Sequence, residues 1–412
     1  MEIRGYGGTD AGRVRDHNED AFLLDDELGM YILADGVGGH NAGEIASGLV
    51  VRWVHKEFKG LLPLIEAFDP DDLEARRNLI RAVPRLIQNA SDVVFRYAYE
   101  HPECQGMATT TVLFVPCGRH ALISHAGDSR AYLLRGERFR QLTEDHTLVR
   151  KFVKEGQLTE EEAAIHPQRN VIIRSVGITP GVECDTLLVD VQPSDLFLMC
   201  SDGLTDMVHD DEIHELVLRY RDEALVTALI QRANARGGRD NITVVLIEVD
   251  DAEEDESPPP PYDLLDKTSI LKDVFMFRHC TEQERLKAVR CLYVRSYADG
   301  EAIVTLDEAG DELFLVVEGA CEVVKDGIHL ADVGPGGCFG ELAFISRDVR
   351  SATVEARGGA TCFVMPRQDL HELLQDDAVL GNKLLWNFLE NLGASVKRLS
   401  LENAELKARP RG

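Results

Sequence analysis

The first 250 residues carry short apolar runs that end in acids, interleaved with stretches in which apolar residues recur at three-and-four spacing. Met30-Tyr31-Ile32-Leu33-Ala34 reads as a buried strand and stops at Asp35-Gly36. Leu196-Phe197-Leu198-Met199-Cys200 reads the same way and runs into Ser201-Asp202-Gly203. Ala21-Phe22-Leu23-Leu24 follows Glu19-Asp20, and the apolar run 242–247 follows Asp240. Residues 109–115 and 120–125 predict two strands meeting at Pro116-Cys117-Gly118, and Gly127-Asp128-Ser129-Arg130 leads into another at 131–134. Helices are predicted over 45–58, 72–100 and 212–235, and Pro84 should kink or split the second. Residues 145–185 have mixed charge and no clear strand, the mark of a functional flap or lid.

Residues 250–266 break this pattern with an acidic run and four consecutive prolines, Pro258 to Pro261, which predict a semi-rigid spacer. Beyond 267 a helical start over 270–291 leads into short strands punctuated by glycine, the texture of a small barrel or jelly roll. Residues 367–408 return to helix. There Leu370, Leu373, Leu380, Leu384, Leu385, Phe388, Leu389 and Leu392 read as core or domain packing. Past Lys397, Leu399, Leu401 and Leu406 are too few for a coiled coil.

At 412 residues the chain has room for two or three domains. Its formal charge of 44 − 72 = −28 argues against nucleic acid or an anionic membrane as partner. Nine cysteines without a Cys-x-x-Cys pair suggest reduced thiols in a cytoplasmic protein. No signal peptide or membrane-length apolar span is visible. Cys280 and Arg285 approach the Cys-x5-Arg spacing of thiol phosphatases, but the Arg falls one residue early, so the segment reads as ordinary helix.

A lone Asp-Gly is most often a turn, but acids at the tips of four strands suggest convergence on one site. Hard oxygen ligands without a His or Cys cluster point to Mg2+ or Mn2+. A pair of such ions neutralises phosphate and activates water. Arg15 offers a planar fork for phosphate, or else a surface ion pair; His40 offers a proton for a leaving alkoxide, or is a loop histidine.

Five stretches resemble, in order, the motif set of the metal-dependent (PPM) protein serine/threonine phosphatases over about residues 3–249. They are Arg15-x-x-Asn18-Glu19-Asp20, Ala34-Asp35-Gly36-Val37-Gly38-Gly39-His40, Gly127-Asp128-Ser129-Arg130, Cys200-Ser201-Asp202-Gly203 and Gly238-Arg239-Asp240-Asn241. The resemblance implies an α+β fold, a β-sandwich of two antiparallel sheets flanked by helices, acting on phosphoserine and phosphothreonine proteins. By the same resemblance Asp35 bridges two metals and the Gly36 carbonyl contacts one. Asp202 and Asp240 complete the other, Glu19 and Asp20 act directly or through water, and Asp128 with Asp202 holds a third. Arg15 and Asn241 would contact substrate. Activated water attacks phosphorus in line, without a phosphoenzyme. Val37 stands where many members carry the general-acid histidine, so His40 and a metal-bound water are alternative acids.

A second cluster, Phe339-Gly340-Glu341-Leu342-Ala343 with Arg350-Ser351-Ala352, resembles the phosphate-binding cassette of cyclic-nucleotide-binding domains, over about residues 267–400. Arg350 would then pair with the cyclic phosphate and Glu341 with the ribose hydroxyl, supported by Gly340, Leu342, Ala343, Ser351 and Ala352. The expected organisation is therefore a phosphatase domain at 1–249, a linker at 250–266, a nucleotide-binding-like domain at 267–400 and a charged tail at 401–412. Cyclic AMP or cyclic GMP is the expected regulator, with a ligand-free docking or dimerisation module and a catalytically silent scaffold as alternatives. A homodimer is a further expectation.

Overall fold

Each acid-tipped apolar run becomes a strand, and the strands form two antiparallel sheets. The computed structural model describes residues 2–37, 42–250, 261–341 and 349–408, with backbone alone at 395, 398, 399 and 402–408. The chain divides into Met1–Pro259 and Pro260–Gly412. The first unit opens with β1 (Glu2–Asp10), β2 (Asp20–Asp25) and β3 (Met30–Val37), followed by α1 (Gly43–Phe58), α2 (Leu62–Glu66) and α3 (Leu73–Glu100). Next come β4 (Ala108–Thr109), β5 (Thr111–Cys117), β6 (His120–Ala126), β7 (Arg130–Arg135) and β8 (Arg138–Gln141). The 145–185 stretch holds α4 (Leu148–Lys154) and α5 (Glu160–Ala164). The unit closes with β9 (Asp185–Asp190), β10 (Leu196–Cys200), α6 (Asp202–Thr205), α7 (Asp210–Arg219), α8 (Asp222–Ala235) and β11 (Ile242–Asp250).

One sheet runs β1-β11-β10-β7-β8, the other β2-β3-β5-β6-β9 with β4 beside β3. They pack face to face: Phe114 of β5 meets Phe197 of β10 at 4.8 Å, and the Tyr31 hydroxyl of β3 donates to the Ile3 carbonyl of β1. On the outer face of β3, Met30, Ile32 and Ala34 pack in one core with α1 and α3 residues such as Val50, Val54, Val83 and Ile87. Both faces of such a strand are buried, which is why it reads as an unbroken apolar run. Over the other sheet, α7 and α8 contribute Ile213, Val217, Leu225 and Leu229 to a second core.

Three expectations change. The 28-residue α3 is not split at Pro84: Leu79, Val83, Leu86 and Ile87 bury one continuous stripe, which outweighs the ~3 kcal/mol cost of an internal proline. The helix expected over 212–235 is two, broken where Tyr220 is extended and Asp222 has φ 55°, so that both halves meet the sheet. The β5–β6 turn falls one step late, because Pro116 and Cys117 still pair with Ala121 and His120.

The second unit begins with α9 (Leu264–Leu271) and α10 (Glu282–Val289). The single helix expected over 270–291 is interrupted because Thr281 forms a capping box with Glu284 and restarts it. Cys280 sits in that turn, buried, its thiol pushed up to about 12 by burial, the opposite of a reactive thiolate. A six-stranded antiparallel sheet follows: β12 (Tyr293–Tyr297), β13 (Ala302–Val304), β14 (Glu312–Lys325), β15 (Ile328–Val333), β16 (Cys338–Phe339) and β17 (Thr353–Pro366). The 14-residue strands β14 and β17 change register at Val316/Glu318 and Gly319/Ala320, and these irregularities bend the sheet around Phe314, Val316, Phe339 and Cys362. This is the small β roll expected here. Two helices end the unit, α11 (Arg367–Asp376) and α12 (Ala378–Ala408). The charged tail expected from 401 is therefore helical to Ala408. Leu385 and Leu389, expected in packing, are exposed. Among the described residues, no helix is long and apolar enough to cross a membrane.

Candidate active site

Five carboxylates from distant parts of the sequence meet at one end of the sandwich. Asp20 and Asp35 are cross-strand partners on β2 and β3, in one sheet. Asp202 opens α6 directly after β10 and Asp240 precedes β11, in the other sheet. Asp128 lies between β6 and β7, where the chain crosses from one sheet to the other. The approach of the strand ends demands glycine: a Cβ on Gly203 would run into the Asn241 carbonyl, and one on Gly36 into the carbonyls of Gly43 and Glu19.

Burial and mutual repulsion make these acids resist ionisation. Asp35 is held well above its ordinary range, first by burial and then by Asp20, Asp202, Asp128 and Asp240. Asp202 is raised by burial and by Asp128 and Asp240. Burial pushes Asp128 to about 7, with Asp145 adding to it, and Asp20 to about 6, against the pull of the Thr243 and Ser201 hydroxyls. Glu19 is raised by burial and by Glu44. The chain's own cations stand at the edges: Arg15 donates to Asp240 at 2.7 Å, and Arg130 forks onto Asp145 at 2.8 and 2.7 Å.

The donor set fits hard divalent cations. Every candidate ligand is oxygen, and Asp20 Oδ1 and Asp128 Oδ1 are buried without a hydrogen-bond partner. The other Asp20 oxygen accepts from Thr243 Oγ1 at 2.6 Å and Ser201 Oγ at 2.9 Å, which fixes the carboxylate plane.

Hydroxyls that sequence reasoning passed over do the orienting. Thr110 Oγ1 accepts from the Asp35 N–H at 3.1 Å and shares a 2.7 Å bond with Ser129 Oγ, beside Asp128. Thr109 Oγ1 donates to the Asp35 carbonyl at 2.8 Å. In the sequence these threonines are simply strand formers. Asp206, one helical turn after Asp202, was also missed; it raises Asp202 and lines a cavity of about 480 Å3 with Asp128, Asp202, Arg150, Arg169 and His209. The 145–185 stretch thus supplies part of the wall beside the acids. A separate polar cluster groups His125, His146 and Asp185: His146 Nδ1 accepts the Gly127 N–H at 3.1 Å, and its Nε2 faces Asp185 and Arg174.

Asn241, expected to contact substrate, uses its amide inside the protein. Its Oδ1 accepts from the Glu19 N–H at 2.9 Å and its Nδ2 donates to the Ala11 and His17 carbonyls, so a buried amide is spent on tying the 11–19 loop to β11. Arg15, half exposed, keeps guanidinium surface for a ligand. His40 lies outside the described residues.

In the second unit Arg350 is buried, 5% exposed, with one terminal nitrogen donating to the Glu312 carbonyl at 3.0 Å and the Gly340 carbonyl at 3.2 Å. Its guanidinium carbon lies 5.6 Å from the Phe314 ring centre. Glu341 and Ala352 are half-buried and Ser351 exposed; Leu342 and Ala343 lie outside the described residues.

The family model described as protein phosphatase 2C matches residues 7–246, more than half of the chain. The chain belongs to the protein phosphatase 2C family. It is thus one of the metal-dependent serine/threonine phosphatases. The serine/threonine phosphatase stp of Listeria innocua is 38% identical over 244 residues, 58% of this chain and 93% of that protein. Protein phosphatase PhpP of Streptococcus pneumoniae is 37% identical over 252 residues, 59% of this chain and 96% of that one. Among solved structures, the Mycobacterium tuberculosis phosphatase PstP/Ppp superposes with a TM-score of 0.54 at 32% identity, covering 61% of this chain and all of that one. The PstP catalytic domain in complex with two manganese ions gives 0.52 at 32% identity, covering 60% of this chain and 99% of that one. In this phosphatase the family model described as a cyclic nucleotide-binding domain matches residues 294–377.

Proposed function

We propose that residues 1–249 hydrolyse phosphoserine and phosphothreonine in proteins using two Mn2+ or Mg2+ ions, with a third held more loosely. Asp35, Asp202 and Asp240 would hold the pair together with the Gly36 carbonyl. Glu19 and Asp20 would join directly or through water, and Asp128 with Asp202 would take the third. The observation that carries this reading is electrostatic: buried acids raise one another, while the nearby arginines pair at the rim. When bound, the ions supply neutralisation of the phosphate oxygens and a nucleophilic water of lowered pKa. Arg15, anchored by Asp240, orients the phosphate through its remaining donors. Asp20, fixed by two hydroxyls, presents its free oxygen at a set angle. His40 is the candidate for protonating the leaving oxygen, with a water as the alternative.

The C-terminal unit, with a linker at 250–266, is read as a regulatory domain for cyclic AMP or cyclic GMP in a cytoplasmic enzyme, shifting a population of states. The family match and the Gly340–Arg350 pairing support this reading. One observation favours the alternative of a ligand-free module: one terminal nitrogen of Arg350 already donates to two backbone carbonyls of its own domain. A second copy of the chain is the remaining partner in this reading.

The test is calorimetry of the full chain with each nucleotide, followed by hydrolysis of phosphoserine and phosphothreonine peptides with Mn2+ in the same sample. Turnover that needs Mn2+ and changes with a bound nucleotide is expected. Nucleotide binding absent in both the unmodified chain and Arg350→Ala removes the regulatory half. No Mn2+-dependent turnover removes the catalytic half.

A further inference from the structure

The last helix has two faces, and its own domain uses one. On the inner face of α12, Leu380 and Leu384 are buried, Asn387 Nδ2 donates to the Met276 carbonyl at 2.8 Å, and Lys383 pairs with buried Glu284 at 2.9 Å. About 100° around the helix, Leu385, Leu389 and Val396 are 55%, 56% and 62% exposed. Large apolar side chains in a row on a helix that continues to Ala408 call for a partner.

The sequence along that face states which partner. Leu385, Leu389, Leu392, Val396, Leu399, Asn403 and Leu406 are separated alternately by four and three residues, the heptad repeat of a coiled coil. Counted only from Lys397 the leucines are too few, but α12 is continuous from Ala378, so the repeat starts at Leu385 and lasts about three heptads. Leucine fills every d position, 385, 392, 399 and 406, while the a positions hold Leu389, Val396 and Asn403. A β-branched residue at a with Leu at d favours two parallel strands, and an Asn at a is satisfied by its own counterpart only when the two helices are parallel and in register. In the sequence Glu402 and Lys407 fall at g and the following e of the repeat, the positions from which opposite charges pair across a two-stranded seam.

We propose that α12 pairs with α12 of a second copy of this chain as a parallel, in-register two-stranded coiled coil. This rests on the reading of the chain as a homodimer and assigns its surface. The seam would bring two C-terminal units side by side along the same helix that Glu284 and Met276 hold to the domain.

Sedimentation velocity of the full chain tests it. The expected mass is twice the 45.8 kDa of one chain. Leu389→Asp with Val396→Asp should return it to 45.8 kDa while Mn2+-dependent hydrolysis of p-nitrophenyl phosphate stays at the unmodified rate, showing the catalytic unit intact. Val396→Cys should oxidise to a covalent dimer and Asn391→Cys, on the outer side of the helix, should not. A monomer at tens of micromolar overturns both the dimer and its surface. A dimer that survives the double substitution overturns the coiled coil and leaves the dimer. A dimer in which Val396→Cys fails to cross-link overturns the parallel register.

Discussion

At the ends of β3 and β10 the chain gathers carboxylates that burial and mutual repulsion hold above their ordinary range, with Arg15 on Asp240. At Arg350 it buries a guanidinium that two backbone carbonyls and an aromatic face already accommodate. Buried charge of one sign is tolerated only if something arrives to compensate it, or if the groups stay protonated. In the proposed reading the acid cluster is therefore the end that a cation would complete. At the C-terminal site the fold already bonds one nitrogen of the guanidinium, so a ligand there would join existing partners.

The largest break of this contrast is Asp35→Ala. A Lewis-acid metal supplies several kcal/mol at the transition state, so turnover of a phosphopeptide should fall roughly a thousand-fold or more. In EDTA the same substitution should raise the melting temperature, because a buried carboxylate repelled by four others is gone. A lower melting temperature would mean that Asp35 is held by the fold and not against it.

Asn241→Ala separates scaffold from substrate contact. It leaves the Glu19 N–H and two carbonyls without their buried partner, so stability should drop by about 2–4 kcal/mol in urea unfolding. The Michaelis constant for a phosphopeptide should stay within roughly twofold. A large rise in that constant with unchanged stability would make Asn241 a substrate group.

Acidity gives a third lever. Asp20 at about 6 and Asp128 at about 7 lie above an unfolded aspartate near ~4, so the folded chain binds more protons than the unfolded one between these values. Without metal, stability should then fall as pH rises from ~4 through ~7. Added Mn2+ should raise the melting temperature more at pH 8 than at pH 5, by roughly 5 °C, since protons and cations compete for the same oxygens. An equal gain at both values would exclude the raised acids as the binding groups. The smallest effect belongs to Arg350→Ala, expected to lower the stability of the C-terminal unit by about 1–2 kcal/mol through two lost carbonyl bonds. No loss would show that this site, too, waits for a ligand.

Much of this was legible before any coordinates. Strands β3, β5, β6, β7, β10 and β11 were visible because both faces are largely buried, which leaves no polar alternation to obscure the run, and the acids stood out because they lie at the ends of such runs. Breaks inside helices were less legible. Pro84 was expected to kink or split its helix and does not split it, since a buried stripe on either side outweighs one missing bond, whereas Tyr220–Asp222 looked helical and breaks.

The chain alone determined which residues could be ligands and that the two halves differ in architecture, because residue type and periodicity are local properties. Only the tertiary structure decided that Thr110 ties Asp35 to Ser129, that Asn241 clamps a loop, that Asp206 joins Asp128 and that Leu385 and Leu389 face outward. Those facts depend on partners on other elements or on which side of a helix its own domain covers, and no local pattern encodes either.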